Sequence, residues 1–176
     1  MKNFCLFFFF ATTCSFGQFS IKGTLTKPLK NDWALLYKIE SNREIFVANT
    51  SIKSDSLDIN GTKIASGTFE FELPKNSKPG TYRVTYRQKG ARFIDFIFNH
   101  ENVRFQLHPD APEASIFFLE SAENQLYRAY QDEIFLKQQK LDSIQVAVLR
   151  DNTLDLTTEY KKALESVHAV QNQFLA

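Results

Sequence analysis

Polar and apolar residues alternate with a period of two through most of the first two thirds of the chain. The clearest stretch runs from Gly67 to Leu73, where every second residue is Phe or Leu and the residues between them are Thr or Glu. Side chains in a β-strand point alternately to its two faces, so this pattern predicts one buried and one charged face. The predicted strands are Phe19 to Leu25, Trp33 to Ile39, Glu44 to Ala48, Ser51 to Ile59, Gly67 to Leu73, Thr81 to Gln88, Phe93 to Phe98, Val103 to Leu107 and Ser115 to Leu119.

Turn residues separate these strands at intervals of about 8 to 12 residues, which is typical of a sandwich or partial barrel. Asn60-Gly61 is a strong two-residue hairpin signal because both residues tolerate positive φ. Glu40 to Arg43 and Lys89-Gly90 are further predicted turns. Residues 18–120 are therefore predicted to form a series of antiparallel strands.

The period changes at Ser121, where apolar residues begin to recur every three or four positions, as they do in an amphipathic helix. Ser121 can cap this helix by accepting a hydrogen bond from the backbone of Asn124 or Glu123, and Asn124 could return a weaker capping-box bond. A second helix is predicted from near Thr153. The two stripes consist of Tyr127, Tyr130, Ile134, Leu141, Ile144 and Val148, and of Leu156, Tyr160, Ala163, Val167, Val170 and Phe174.

These patterns predict an α+β chain, with an N-terminal antiparallel β-sandwich or partial barrel followed by a C-terminal helical hairpin or long helix. Both helical arrangements fit because no Gly or Pro enforces a turn between Arg150 and Thr153. We expect three segments: a signal peptide over residues 1–17, an antiparallel β domain over 18–120 and a helical arm over 121–176. The second stripe is still in phase at Phe174, which favours an arm that continues in the natural protein, although a frayed terminal helix also fits.

The first 17 residues have the three parts of a secretory signal peptide. Lys2 supplies the positive charge, an apolar run extends from Phe4 to Ala11, and Ser15 and Gly17 are small residues before a cut at Gln18. The alternatives are a buried Phe-rich strand and lipidation at Cys14, although the residues before Cys14 lack the Leu that lipoprotein sites favour. Export is therefore predicted, with no transmembrane span in the mature chain.

Both cysteines, Cys5 and Cys14, lie inside this predicted leader, so the mature chain would hold no thiol for a disulfide or nucleophilic site. Lys and Arg total 21 against 20 Asp and Glu, and this balance argues against a nucleic-acid partner. The chain has only 6 Gly and no Gly-x-Ser-x-Gly or phosphate-binding loop. The residues thus indicate no catalytic site, no bound cofactor and no metal site.

Several residues remain whose side chains could serve in catalysis or binding, and each also has a purely structural interpretation. His100, His108 and His168 do not have the spacing of metal ligands. The carboxylate pairs Glu70 with Glu72 and Asp55 with Asp58 are better explained as solvated charge, and Ser115 and Ser121 lack triad partners. An aromatic platform for a glycan or peptide could form from Trp33, Tyr37, Tyr82 and Tyr86, but alternating aromatic residues are more often core.

Several motifs together resemble one family. They are the Gly17-Gln18 junction, the opening Phe19-Ser20-Ile21-Lys22-Gly23-Thr24-Leu25, Gly67-Thr68-Phe69-Glu70-Phe71, Pro79-Gly80-Thr81-Tyr82-Arg83-Val84 and, above all, Glu120-Ser121-Ala122-Glu123-Asn124-Gln125-Leu126-Tyr127. The mature chain is similar to the N-terminal domain of unknown function of exported thioredoxin-like proteins of the Bacteroidetes, which are related to the TlpA and ResA thiol-disulfide oxidoreductases.

In that family a thioredoxin fold with a Trp-Cys-x-x-Cys motif follows the β domain and carries the redox chemistry. This chain has neither that fold nor that motif, so the resemblance transfers no catalytic residue to any position here. It implies localisation in the periplasm or cell envelope and a non-catalytic accessory or interaction module in a cell redox homeostasis context, with a protein partner or a fused thioredoxin-like domain. The alternative is a free-standing periplasmic or surface β domain that binds a ligand.

Overall fold

The computed structural model describes residues 18–29, 33–41, 43–86, 92–151, 153 and 155–175. The predicted signal peptide over residues 1–17, with Cys5 and Cys14, lies outside the described residues, and so does the predicted turn at Lys89-Gly90. Across the described ranges the chain forms nine strands followed by two long helices, which confirms the α+β prediction.

The elements follow one another in an order close to the one predicted from the sequence. They are β1 (Gln18–Leu25), β2 (Trp33–Glu40), β3 (Arg43–Ser51), β4 (Lys53–Ile59), β5 (Thr62–Pro74), β6 (Gly80–Thr85), β7 (Phe93–Phe98), β8 (Val103–Leu107), α1 (Pro112–Ser115), β9 (Phe117–Glu120), α2 (Ala122–Arg150) and α3 (Thr157–Leu175).

The strands form two sheets around one core. The larger sheet has the order β4-β5-β1-β8-β9 and the smaller one the order β3-β2-β6-β7. All pairs are antiparallel except β1 with β8, which run parallel and place Ile21 beside Val103. The chain passes from the smaller to the larger sheet at Ile52, between β3 and β4. The sheets therefore meet at this corner, while β7 and β9 end the two sheets and do not pair with each other.

The alternating pattern of β5 is reproduced in its burial. Phe69, Phe71 and Leu73 face the core, and Glu70 and Glu72 face the solvent. The inward faces of the other strands, together with Tyr86 just after β6, supply the remaining core residues. These are Ile21, Leu25, Ala34, Leu36, Tyr82, Val84, Tyr86, Ile94, Phe96, Phe98, Val103, Phe105, Leu107 and Phe118.

One core contact depends on the absence of a side chain. Gly23 of β1 lies opposite Phe69 of β5, and the Phe69 ring covers the glycine, so that a Cβ at residue 23 would lie 2.2 Å from Phe69 Cζ. The ring in turn stacks edge-on against Phe71 and Phe105. Gly23 is thus required by packing, since its φ is not in the left-handed region.

Several predicted boundaries were wrong, and for three of them the structure shows a local cause. Ser115 does not open the last strand: it ends α1, which Pro112 starts, and its hydroxyl accepts from the His108 N–H at 2.8 Å. The second long helix starts at Thr157 rather than near Thr153, because the Asp155 carboxylate accepts from the Thr157 N–H. β5 begins at Thr62, since the Asn60-Gly61 hairpin extends it to pair with β4.

The two long helices form the hairpin that was one of the two predicted arrangements. The Tyr130 ring, near the start of α2, contacts the Phe174 ring, near the end of α3, with centroids 5.2 Å apart, so the helices are antiparallel. Leu141 of α2 and Ala163, Val167 and Val170 of α3 are buried between them. Asp151 stabilises the connection by accepting hydrogen bonds from the backbone and hydroxyl of Thr153, which lower the pKa of the Asp151 carboxyl.

Replacement of Gly23 by Ala should destabilise the β domain by about 2 kcal/mol, because the new methyl group overlaps the Phe69 ring. In a Phe69→Leu background the same replacement should cost less than about 1 kcal/mol, since the smaller side chain can move aside. Urea unfolding of the four variants of this double-mutant cycle measures both costs. An equal loss in the two backgrounds would contradict the packing role assigned to Gly23.

Candidate binding groove

The first turn of α2 lies against one edge of each sheet. We call the gap between these two edge strands, β7 and β9, the seam. Asn124 is 1% exposed, and its side-chain amide bonds both backbone groups of Ile97 in β7. Its Oδ1 accepts from the Ile97 N–H at 2.8 Å, and its Nδ2 donates to the Ile97 carbonyl at 2.6 Å. The Asn124 amide therefore makes the pair of bonds that a neighbouring strand would make with β7.

The next residue, Gln125, makes the corresponding contact on the other side of the seam. Its Nε2 donates to the Phe118 carbonyl in β9 at 3.0 Å. Two consecutive residues of α2 thus bind the edge strands of the two sheets. The seam is held together by side chains here rather than by a backbone ladder.

Ser121 fixes the direction in which α2 leaves the seam. As predicted, its hydroxyl oxygen accepts from the Asn124 N–H, at 3.3 Å, and it also accepts from Asn124 Nδ2 at 2.6 Å. The hydroxyl donates to the Glu101 carboxylate. The capping-box bond expected from Asn124 is not among the hydrogen bonds of the described residues, because the amide is directed to Ile97 instead.

Beyond the first turn of α2 the seam opens into a groove of about 690 Å³, which we call the seam groove. This volume lies within the range of about 300 to 1,000 Å³ that is usual for ligand sites. β7 forms one wall, α1 and β9 the second, and one face of α2 the third. The groove is lined by Phe93, Ile94, Asp95, Glu113, Ala114, Ile116, Phe118, Asn124, Tyr127, Arg128, Gln131, Asp132 and Phe135.

The seam groove has an apolar floor and a partly charged rim. Phe118 at the floor is 7% exposed, whereas Phe135 on α2 is 60% exposed. On the rim, Arg128 pairs with Asp132 at 2.9 Å and donates to the Glu113 backbone carbonyl at 2.6 Å. An apolar ligand group could therefore replace water over the floor without breaking the ion pair.

The outer face of the smaller sheet borders the groove and carries a charge cluster. Arg83 of β6 bonds Asp95 through two nitrogens, at 2.6 and 2.7 Å, and bonds Glu44 at 2.6 Å. Its guanidinium also lies 3.7 Å from the centroid of the Phe93 ring. The hydrogen bond to Asp95, aided by that to Glu44, raises the pKa of Arg83 above its ordinary value, so the residue stays charged. This cluster holds the groove-side strand β7 to β6.

A second cavity of about 610 Å³ lies on the α3 side of α2 and shares Tyr127 with the seam groove. It is bounded by Ile97 of β7, by Leu126 and Tyr130 of α2 and by Phe174 of α3. Leu126 is largely exposed, and Tyr130 contacts Phe174. The start of α2 is thus flanked by two hollows, one towards the seam and one towards α3.

The aromatic platform considered from the sequence does not form. Tyr82 and Tyr86 are 2% and 1% exposed and belong to the core, where Tyr82 stacks on Phe96. Burial raises the pKa of Tyr82, and its hydroxyl donates to the Lys78 carbonyl at 2.8 Å. Trp33, by contrast, is 52% exposed. Trp33, Tyr37 and Tyr82 lie in strands as predicted, whereas Tyr86 follows the end of β6, and the preferred interpretation as core is confirmed for Tyr82 and Tyr86.

The three histidines have separate environments. The His100 ring packs against Phe19 and Phe98, the His108 Nδ1 accepts from the Asp110 N–H, and His168 lies exposed on α3. In the part of the chain that the structure describes, no three His, Cys, Asp or Glu side chains lie close enough together to hold a metal ion.

The carboxylate pairs have local partners. Asp58 accepts from the Gly61 N–H at 2.8 Å and so closes the hairpin between β4 and β5. Glu70 accepts from the Ser20 hydroxyl and lies 3.9 Å from Lys22 Nζ.

The described helices include none that is both long and apolar enough to cross a membrane.

The seam groove itself was not predicted from the sequence. Its walls come from β7, α1, β9 and α2, and the side chains that face it have no common spacing along the chain. The available signal was Asn124, a polar residue at the start of a helix that follows a β domain.

Comparison of the chain with protein-family models, with curated proteins and with solved structures finds no match in any of the three.

Replacement of Asn124 by Ala should destabilise the protein by about 2 to 4 kcal/mol, because both backbone groups of Ile97 would lose their partner in a partly buried place. Urea unfolding measures this cost, and hydrogen exchange at the Ile97 amide should become faster. Asn172→Ala, on an exposed part of α3, is the matched control and should stay within about 0.5 kcal/mol of the parent protein. A cost below about 1 kcal/mol for Asn124→Ala would contradict the role of its amide.

Proposed function

We propose that this chain is a non-catalytic interaction module of the cell envelope that holds a protein partner in the seam groove. The observation that carries the proposal is the groove itself: an apolar floor with charged rim residues, next to a strand edge that is only partly covered. Binding sites commonly combine an apolar surface with a few fixed polar groups. A module of this kind would act by positioning its partner rather than by chemistry of its own.

The resemblance to the N-terminal domain of exported thioredoxin-like proteins supplies the context of the proposal. In that setting the partner would be a thioredoxin-like domain, fused or separate, or the substrate that such a domain reduces, in the periplasm or cell envelope. The marker motif of the resemblance, Glu120 to Tyr127, includes Asn124 and Gln125 at the seam. Part of the main motif that suggests the family thus shapes one end of the groove, which supports the proposal.

The alternative, a free-standing domain that binds a ligand, uses the same groove but needs no redox partner. The two are separated by the identity of what binds. A thioredoxin-like protein or its disulfide substrate at the groove favours the accessory role, whereas a small molecule or glycan favours the alternative.

Photo-crosslinking in the native host tests the proposal. A benzoylphenylalanine at residue 135 replaces an exposed Phe on the groove wall, and the same group at Leu149, which is 84% exposed on the same helix, is the control. The two positions are about 21 Å apart along the helix axis. We expect a discrete protein adduct from position 135 and not from position 149, and mass spectrometry of that adduct should identify a Cys-x-x-Cys protein or its substrate.

A second variant checks that the adduct depends on the groove. Ala114→Trp should fill part of the groove, because Ala114 lies on its wall and is exposed. The adduct from position 135 should then fall by at least about tenfold, while the thermal unfolding midpoint stays near that of the parent. Equal adducts from positions 135 and 149, or an adduct that Ala114→Trp leaves unchanged, would overturn the proposal.

A further inference from the structure

The outer edge of β7 pairs with no strand of the described residues, and this edge points to the way in which a partner enters the seam groove. We infer that the groove accepts an extended polypeptide segment that adds as a strand to β7 and carries apolar residues with a Lys or Arg. This inference rests on the proposed function, because it specifies the partner of the same groove. It names the backbone of the partner as the main recognition element.

The backbone geometry of β7 carries the first step. Both backbone groups of Ile97 point away from β6, because they bond the Asn124 side chain. Backbone groups of an antiparallel pair point to the same side at every second residue, and β6 pairs with β7 without a bulge. The N–H and C=O groups of Asp95 and Phe93 therefore also point away from β6, on the side that lines the groove.

These groups have no partner within the described ranges. The hydrogen bonds of those residues include none to the backbone of Asp95 or Phe93 on this side, whereas Asn124 satisfies the next position, Ile97. An added strand would offer up to four backbone hydrogen bonds here, which is the main source of affinity when a peptide extends a sheet. Asn124 would mark the end of the added strand, because its amide already occupies the next pair of bonds.

The side chains around this edge define the peptide. Ile94 points inward from β7, and Ile116 and Phe118 lie across the groove from it. Successive side chains of a strand point to opposite faces, so alternate residues of an added strand would reach this apolar floor. The segment should therefore alternate apolar residues with residues that face outward.

The rim charges define the basic residue. Asp95 is paired with Arg83 and Asp132 with Arg128, so their charges are balanced locally. The ion pairs of the described residues include none for Glu113, although Arg92 borders the adjoining hollow that Glu113 also lines. Glu113 thus leaves a free carboxylate on the groove wall, and a Lys or Arg on the partner complements it.

Selection from a phage-displayed library of random dodecapeptides on the purified protein tests the inference. Enriched peptides should alternate apolar residues with Lys or Arg, and a synthetic copy should shift the Phe93 and Asp95 amide resonances and protect these amides from exchange. N-methylation at every second peptide residue should weaken binding by about tenfold, and N-methylation at the residues between should not, because only alternate N–H groups face β7. Glu113→Lys should also weaken binding by about tenfold, whereas Glu72→Lys, an exposed carboxylate on β5, should not.

The outcomes separate this inference from the proposed function. A peptide that Ala114→Trp displaces but that tolerates N-methylation at every position would overturn strand addition and leave a groove-binding module. Failure to enrich any peptide that contacts the groove would overturn strand addition, and the crosslink at position 135 then decides the proposed function on its own. A concentration-dependent dimer that buries the β7 edge would overturn the inference in favour of a second copy of the chain.

Discussion

The sheet edges that no strand of the described residues pairs are the constraint on which this structure depends. A sheet that ends in a bare strand leaves backbone donors and acceptors to be satisfied, and a buried group without a partner costs roughly 1 to 3 kcal/mol. On the corner side the chain leaves the edge strands β3 and β4 largely exposed, so that water can satisfy these backbone groups. On the seam side it uses two side chains of α2, Asn124 on β7 and Gln125 on β9.

An amide suits the seam because it carries both a donor and an acceptor in the geometry of a peptide group. A carboxylate could accept from the Ile97 N–H but could not donate to its carbonyl, and an apolar residue could do neither. The start of α2 also has a conformational cost, since Ser121 has a φ of 95°, which is unusual for a residue other than Gly. The hydrogen bond that Ser121 donates to Glu101 and the one that it accepts from Asn124 offset that cost and so determine where α2 begins.

The sequence predicted the elements that depend on local periodicity. Alternation in β5 and the two helical stripes were sufficient to predict these elements, because each pattern depends only on which side of one element is buried. The cap at Ser121 was predicted for the same reason, since its partner Asn124 lies only three residues away. Boundaries at Ser115 and Thr157 were missed because hydrogen bonds within the loops, and not hydrophobic period, set them.

What the sequence could not provide is the relation between elements. Nothing in the pattern of β1 or β8 distinguishes a parallel from an antiparallel pair, and nothing in residue 124 itself shows that its amide will meet Ile97, which lies 27 residues earlier. The seam groove has the same origin, since it is the part of the opening between β7 and β9 that the first turn of α2 does not cover.

Stability and the proposed recognition can therefore be assigned to different parts of one seam. Asn124 is buried and bonded on both sides of its amide, so its role is to hold α2 to β7. Glu113 and Phe135 lie on the exposed wall of the groove, where a change of side chain removes none of those bonds. Because α2 rises about 1.5 Å per residue, it moves away from its anchor and leaves the β7 edge at Asp95 accessible. The bonds that stabilise the junction thus also set the length of the edge that remains open.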